Sequence, residues 1–109
     1  MDTELVSIYT TLPDRDSANR LGRTLVEERL AACINTFPIS SIYQWQGKIE
    51  ETAEWAVLVK TRADLQPDTV NRIRELHPYE VPAVIVYGIE FSLPAYAEWV
   101  RASTREGPR

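Results

Sequence analysis

The alternation of apolar and polar positions divides the chain into seven predicted elements, in the order β-α-β-β-α-β-α. Segments rich in β-branched and aromatic residues predict strands, and apolar residues that recur every three or four positions predict helices. The predicted strands are Glu4 to Thr11, Ala32 to Trp45, Ile49 to Thr61 and Ala83 to Ile89. Apolar faces predict the helices, with Ala18, Leu21, Gly22, Leu25, Val26 and Leu30 in the first, Leu65, Val70, Ile73 and Leu76 in the second, and Tyr96, Trp99 and Val100 in the third.

This order predicts an α+β fold with an antiparallel sheet. Its first six elements form the split βαβ, or ferredoxin-like (βαββαβ), arrangement, and the seventh is an extra C-terminal helix. We expect both long helices on one face of the sheet. The strand 83–89 is apolar on both faces, which predicts a central, well-covered position.

Capping residues and prolines predict where the elements begin and end. Asp14 or Asp16 supplies the N-cap of the first helix, and Asp64 that of the second, with Pro67 in its first turn. Pro38 interrupts the second strand, which indicates a bulge or a sheet edge there. The last helix opens at Ser92 or Leu93, and we expect frayed structure from Thr104 to Arg109.

The second and third strands form a hairpin that is long for a domain of this size. Gln46-Gly47-Lys48 is its predicted turn, and its strands carry the aromatic residues Tyr43, Trp45 and Trp55. Exposed aromatics and unpaired strand edges favour pairing with further copies of the chain, so we expect these three residues at an oligomer interface. The alternative is a hairpin that curls over its own sheet and keeps the aromatics in the monomer core.

Composition narrows the class of protein. The 109 residues suit a single domain, 1–109, and the formal net charge of −4 argues against a nucleic-acid partner. One cysteine excludes an intrachain disulfide and fits a reducing compartment. Without a signal-peptide pattern or a long apolar run, we expect a soluble, cytoplasmic protein with no membrane partner.

The stretch His77-Pro78-Tyr79-Glu80-Val81-Pro82 carries the chain's one imidazole beside a phenol and a carboxylate. Its two prolines predict a rigid connector between the second helix and the fourth strand. His77 and Glu80 are candidate metal ligands, with Cys33 as a soft thiolate ligand. The alternatives are a histidine that binds the last carbonyls of a helix, a solvated carboxylate and a buried structural thiol.

A second candidate site is a ligand cleft between copies of the chain. Lys60 lies late in its strand and is a candidate for binding an anion, although such lysines are more often solvated. Tyr79 and Glu50 are the other candidates for this cleft, and Tyr79 has an alternative role as a packing residue with a satisfied hydroxyl.

Three stretches together resemble the CutA divalent-cation tolerance family. They are Leu30-Ala31-Ala32-Cys33-Ile34-Asn35, Ser41-Ile42-Tyr43-Gln44-Trp45-Gln46-Gly47-Lys48-Ile49-Glu50 and the connector, and Pro38, Glu54, Lys60-Thr61, Tyr96 and Trp99 extend the resemblance. It implies a ferredoxin-like subunit in a homotrimer like that of the PII signalling proteins. It also implies tolerance to copper and other divalent cations, metal binding, and no established catalytic activity. The family often has Glu after the second proline of the connector, where this chain has Ala83.

Three functions follow as hypotheses. The first is a non-enzymatic homotrimer that binds copper or another divalent cation at clefts between subunits, near Cys33, His77 and Glu80. The second is a PII-like signalling trimer that binds a small anionic ligand or a partner protein. The third, a cleft enzyme with His77 and Glu80 as an acid–base pair, lacks an accompanying nucleophile or cofactor motif.

Overall fold

The computed structural model describes residues 4–107 and confirms the α+β order that the sequence predicts. Its elements are β1 (Leu5–Leu12), α1 (Arg15–Glu27), β2 (Cys33–Trp45), β3 (Lys48–Arg62), a 3₁₀ turn (Ala63–Leu65), α2 (Gln66–Leu76), β4 (Val84–Gly88) and α3 (Pro94–Ser103). Within residues 4–107, no helix combines the length and the apolar character needed to cross a membrane.

The four strands form one antiparallel sheet in the order β2-β3-β1-β4. Both α1 and α2 cover one face, where their buried residues pack on pairs such as Ile8 and Val59. On the opposite face, α3 covers one end through Val100, which packs with Leu5 and Ala32. The rest of that second face has no helix over it among the described residues.

The β2–β3 hairpin extends past the other strands, as predicted. Pairing of β1 with β3 ends at Leu12 opposite Trp55, whereas β2 pairs with β3 as far as Trp45 opposite Lys48. Residues 48–54 of β3 therefore have a strand on one side only, and the molecule measures 44 × 27 × 24 Å. Gln46 and Gly47 form the tip with φ of 51° and 79°, the left-handed conformation of tight two-residue hairpin turns.

The predicted central position of β4 is wrong. This strand lies at the sheet edge, and Ile85, Val86 and Tyr87 are 44%, 38% and 54% exposed. An apolar run predicts that a strand is covered but not what covers it, and in this chain β1 takes the central position between β3 and β4. For Pro38 the predicted edge position is confirmed, because β2 is the other edge strand, but the pairing of β2 with β3 continues without a bulge.

The two predicted helix caps differ in outcome. The Asp14 carboxylate accepts a hydrogen bond from the Ser17 backbone N–H at 2.7 Å, which confirms the cap of α1 and lowers the pKa of Asp14. The predicted Asp64 cap of α2 is wrong, because the 3₁₀ turn precedes the helix and Asp64 instead pairs with Arg62 at 2.8 Å. Pro67 lies in the first turn of α2, as predicted.

The start of α3 after Leu93 is confirmed, but fraying from Thr104 is wrong for the residues that follow the helix directly. Thr104 is 4% exposed, and its hydroxyl donates to the Val100 carbonyl at 2.9 Å. The Arg105 N–H donates to the Arg29 carbonyl at 2.9 Å. Fraying of residues 108–109 falls outside the described part of the chain.

Candidate functional site

The projecting part of the hairpin and the connector between α2 and β4 face each other across a cleft of about 650 Å³, called here the hairpin cleft. Side chains from β1 form its floor. Two prolines limit the connector's backbone freedom, so one wall of the cleft is rigid. The cleft is lined by Tyr9, Thr11, Ser41, Ile42, Tyr43, Trp45, Glu54, Pro78, Tyr79, Glu80, Val81 and Ala83.

His77 fastens the connector to β1. The helix ends at Leu76, as the following proline requires, and His77 adopts an extended conformation. Its Nε2 lies 2.8 Å from the Thr11 carbonyl, and its Nδ1 accepts the Tyr79 backbone N–H at 3.1 Å. These partners assign the proton to Nε2 and make the ring neutral. Burial lowers the pKa of His77, against the opposing effects of the Thr11 bond and the Glu54 charge.

Tyr79 connects this imidazole to a carboxylate. Its ring centroid lies 4.9 Å from that of His77, and its hydroxyl donates to Glu54 Oε2 at 2.8 Å. Burial, together with the hydrogen bond and the charge of Glu54, raises the pKa of Tyr79 well above its usual range, so the phenol stays protonated.

Glu54 is a carboxylate that lines the cleft and is only 7% exposed. Within residues 4–107 its only hydrogen bond is the one from Tyr79, and no Lys, Arg or His forms an ion pair with it. A buried charge without a counter-ion is unfavourable, so this position favours a positively charged partner.

The structure places two of the three predicted metal ligands in the connector and the third elsewhere. Glu80 is exposed and lines the hairpin cleft, beside the part of the connector that His77 fastens. Cys33 is level with Ser7 of β1, whereas the His77 ring contacts Thr11, roughly 13 Å further along that strand. In residues 4–107 no group of three or more His, Cys, Asp or Glu side chains is placed to hold a metal ion. One chain therefore does not assemble the predicted ligand set.

The predicted ligand-cleft residues are also separated within the chain. Tyr79 lines the hairpin cleft, but Lys60 and Glu50 are ten residues apart on β3, which is roughly 33 Å. The Lys60 ammonium donates to Asn35 Oδ1 near the α3 end of the sheet. Glu50 lies opposite Tyr43 on the projecting hairpin.

The three predicted interface aromatics occupy two environments. Tyr43 and Trp45 are 43% and 44% exposed and line the hairpin cleft. Trp55 packs against the core beneath the helices, with the Arg15 guanidinium 5.7 Å from its ring centroid. The monomer-core alternative therefore describes Trp55, whereas the other two side chains remain available to a partner.

The sequence patterns do not single out Tyr9 or Thr11 as site residues, and Glu54 enters only through the family resemblance. Glu54 shares a sheet face with Ala56 and Leu58 by strand alternation. A carboxylate that continues an apolar alternation is a signal of a buried charge, and it was present in the sequence. Tyr9 and Thr11 carry no comparable signal, because only the long-range pairing of β1 places them beneath the hairpin.

Comparison with known proteins agrees with this architecture. The family model described as CutA1 divalent ion tolerance protein matches residues 6–103. The divalent-cation tolerance protein CutA of Thermotoga maritima is 39% identical over 99 residues, which span 91% of this chain and 98% of that protein. The CutA protein of Pyrococcus horikoshii is 41% identical over 102 residues, which span 94% of this chain and 100% of that protein.

Solved structures give the same result at the level of the fold. The crystal structure of CutA1 from Oryza sativa superimposes with a TM-score of 0.92 at 36% identity, covering 96% of this chain and 97% of that chain. That of CutA1 from Pyrococcus horikoshii has a TM-score of 0.91 at 40% identity, covering 93% and 99%. The resemblance read from the hairpin and connector residues is thereby confirmed, and this chain belongs to the CutA1 divalent ion tolerance family.

Proposed function

We propose that this protein contributes to divalent-cation tolerance by binding metal ions, copper among them, at clefts between the subunits of a homotrimer. Family membership supports the role in divalent-cation tolerance. The observation that supports metal binding between subunits is the separation of the donor groups within one chain. Glu54 and Glu80 lie at the hairpin cleft, and Cys33 lies at the far end of the sheet, so a closed coordination shell requires donors from a second copy.

The exposed parts of the sheet support the assembly. One edge strand, β4, exposes apolar side chains on both faces, and the projecting hairpin exposes Tyr43 and Trp45. An isolated chain with these surfaces presents an unpaired strand edge and an apolar patch, and association between copies removes both. The same association explains why β4 is apolar on both faces although no element within residues 4–107 covers its outer edge.

The chemistry of the donors supports a divalent cation and binding rather than catalysis. Glu80 is exposed, and within residues 4–107 it has no hydrogen bond or ion pair, so its oxygens are free to coordinate. His77 must release one of its two hydrogen bonds before a ring nitrogen can bind a metal or move a proton. His77 is therefore a weaker ligand candidate than Glu80, and it is poorly placed to serve as a catalytic base.

The alternative of an anionic ligand is not favoured at this site. The described residues that line the hairpin cleft include Glu54 and Glu80 but no lysine or arginine. Lys60, the cation proposed for such a ligand, is engaged with Asn35 outside this lining.

Calorimetric titration with Cu(II) and Zn(II) tests the metal proposal. We expect saturable binding to the wild type, weakened in Glu80→Gln and in Cys33→Ala, and unchanged in the control Glu51→Gln, which alters an exposed carboxylate of the same hairpin. His77→Ala shows whether the ring contributes. An absence of saturable binding, or equal binding by all variants, would remove the site assignment.

Light scattering tests the assembly separately. Ile85 of β4 and Val26 of α1 are 44% and 41% exposed, so Ile85→Lys and Val26→Lys are matched changes at different surfaces. We expect the mass of three chains for the wild type and for Val26→Lys, and a smaller mass for Ile85→Lys. A wild type with the mass of one chain would refute the trimer.

A further inference from the structure

The last helix, α3, is held on the sheet by few apolar contacts. Of its ten residues, Val100 alone is buried, whereas α1 buries four of thirteen. Val100 packs with Leu5 and Ala32 in a cluster that is separate from the larger core beneath α1 and α2. A helix this short is marginal without tertiary contacts, so its position depends on more than this small apolar cluster.

The residues that follow α3, 104–107, supply polar contacts and are called here the C-terminal strap. Arg62, at the end of β3, donates from Nη1 to the Arg105 carbonyl and, at 3.4 Å, to the Thr104 hydroxyl. Asp64 holds the same guanidinium through two further hydrogen bonds, at 2.9 and 2.8 Å. The Arg62 side chain is 15% exposed, so these bonds are largely shielded from water. Arg62 therefore fastens the strap to the sheet.

Arg29, in the loop between α1 and β2, fastens the same end of α3 to a second element. Its Nη2 donates to the Ala102 carbonyl at 3.0 Å and to the Thr104 carbonyl at 3.3 Å, and its own carbonyl accepts the Arg105 N–H at 2.9 Å. Arg29 has a φ of 59°, the left-handed conformation that glycine adopts with the least strain at a helix end. An arginine in a conformation that favours glycine indicates that its side-chain bonds to α3 offset the strain.

An ion pair and a close approach complete the strap. Arg105 Nη2 lies 3.4 Å from Asp68 Oδ2, at the start of α2. Gly107 lies so close to the pair of Arg62 and Asp64 that a Cβ there would overlap Asp64 Oδ2 and lie 2.7 Å from Arg62 Nη2. The strap therefore runs from α3 to the start of α2, and arginine side chains form most of the bonds that fasten it.

The helix that the strap holds covers the thiol of Cys33, which is half-buried. Tyr96 of α3 packs on the Val100 cluster, and burial, together with the Cys33 thiol beside it, raises the pKa of Tyr96. Elements with few buried apolar contacts open locally at a lower free energy than the whole fold. Opening of α3 therefore uncovers Cys33 without unfolding the sheet.

We propose that the C-terminal strap is a latch that keeps α3 closed over Cys33, and that its release opens α3 while the rest of the fold stays intact. The latch itself does not depend on metal binding. Cys33 is a donor in the proposed metal function, so control of that donor by the strap is a consequence that rests on the proposed function.

Hydrogen–deuterium exchange of the metal-free, assembled protein tests the latch. Arg62→Met keeps the aliphatic side chain and removes the guanidinium. Hydrogen bonds from a charged donor are the stronger kind, so we expect the amides of residues 97–103 to exchange about tenfold or more faster than in the wild type. The amides of β1 and α1 keep their wild-type rates. Arg15→Met is the matched control, because the Arg15 guanidinium contacts Trp55 at the opposite end of the sheet, and we expect wild-type exchange of α3 in that variant.

Two further measurements separate the latch from a general loss of stability. Arg29→Gly removes the side-chain bonds to α3 but suits the left-handed backbone. We therefore expect faster exchange in α3 and no faster exchange in α1, which ends beside it. Labelling of Cys33 by a small maleimide reports on the cover, since the chain has no other cysteine. In Arg62→Met we expect labelling to accelerate by the same factor as the exchange of α3.

Several results would overturn the proposal. Acceleration of α3 and β1 by one factor in Arg62→Met would mean that the whole fold is destabilised. Wild-type exchange of α3 in both Arg62→Met and Arg29→Gly would mean that the strap does not hold the helix, and if Arg62→Met fails to fold, Arg29→Gly alone gives the decision. Unchanged labelling of Cys33 beside faster exchange of α3 would refute the cover. A lower oligomeric mass of Arg62→Met in light scattering would mean that another copy holds α3. Neither readout uses a metal, so failure of the metal proposal leaves both results unchanged.

Discussion

Replacing Tyr79 by Phe removes one hydroxyl and tests the hydrogen bond at the centre of the site. The phenol donates to Glu54 Oε2 at 2.8 Å, and it is the only donor to that carboxylate in residues 4–107. A hydrogen bond to a charged group contributes about 1.5–3 kcal/mol to stability. Glu54 is 7% exposed but lines an open cleft, so water can reach the freed oxygen. We therefore expect a loss near the lower limit, about 1.5 kcal/mol in the free energy of unfolding.

The stability loss on Tyr79→Phe depends on the charge of Glu54. A double-mutant cycle isolates the interaction between the two side chains. Glu54→Leu replaces the carboxylate by an apolar side chain of similar size, which leaves the Tyr79 hydroxyl without its acceptor. In that background we expect Tyr79→Phe to be nearly neutral, because both polar partners are then gone. Tyr87→Phe is the control, since Tyr87 is 54% exposed and has no hydrogen bond from its hydroxyl in the described residues.

Urea unfolding followed by circular dichroism measures these differences. All variants must be compared at one protomer concentration, because association of copies stabilises the folded state by mass action. The reasoning would be refuted by a Tyr79→Phe variant within about 0.5 kcal/mol of the wild type, the usual effect of a neutral surface change. An equal loss in the Glu54→Leu background would refute it as well, because the effect would then not involve the carboxylate.

Three further predictions concern other parts of the fold. The lowered pKa of His77 means that the folded chain favours the neutral ring, so stability is complete above the ordinary pKa of about 6.5 and falls as the pH drops below it. A thermal melting temperature that stays level between about pH 7.5 and 5.5 would contradict this, since the chain has no other histidine. Gly22→Ala places a Cβ 2.7 Å from Ile34 Cγ2. This overlap outweighs the gain in helix propensity, so we expect urea unfolding to show a net loss of about 1 kcal/mol in the free energy of unfolding. A more stable variant would show that Ile34 moves aside. Asp14→Ala removes the acceptor for the Ser17 N–H and lowers the free energy of unfolding by about 1 kcal/mol. Asp14→Asn keeps a capping oxygen and therefore most of the stability. Equal stability of the two variants would contradict a capping role.

The sequence predicts the parts of this fold that depend on neighbouring residues. Asp14 caps its helix through a residue three positions away, and the connector prolines end α2 where expected. Two predictions failed. The Asp64 cap failed because Arg62, only two residues away, binds the same carboxylate, and sequence proximity does not decide between two local partners. The position of β4 failed because periodicity does not identify the surface that covers a strand, which depends on distant elements.

The candidate site shows the same limit. The connector was identified from its own residues, and it does line the cleft. The floor of the cleft comes from β1, more than sixty residues earlier in the chain, and the bond between His77 and Thr11 makes that connection. Glu54 is visible in the sequence as a carboxylate in an apolar alternation, but only the surrounding side chains show that it has no counter-ion within residues 4–107.

The projecting hairpin also determines where backbone amides exchange with solvent deuterium. Residues 48–54 have a neighbouring strand on one side only, and two-stranded ribbons are marginally stable in water on their own. Local opening there requires less free energy than opening of the three-stranded region that begins at Trp55. In an isolated chain, amide protection therefore falls along β3 towards the tip. Slow exchange near the tip would require contacts from another copy, which makes deuterium uptake of this hairpin a residue-level measure of assembly.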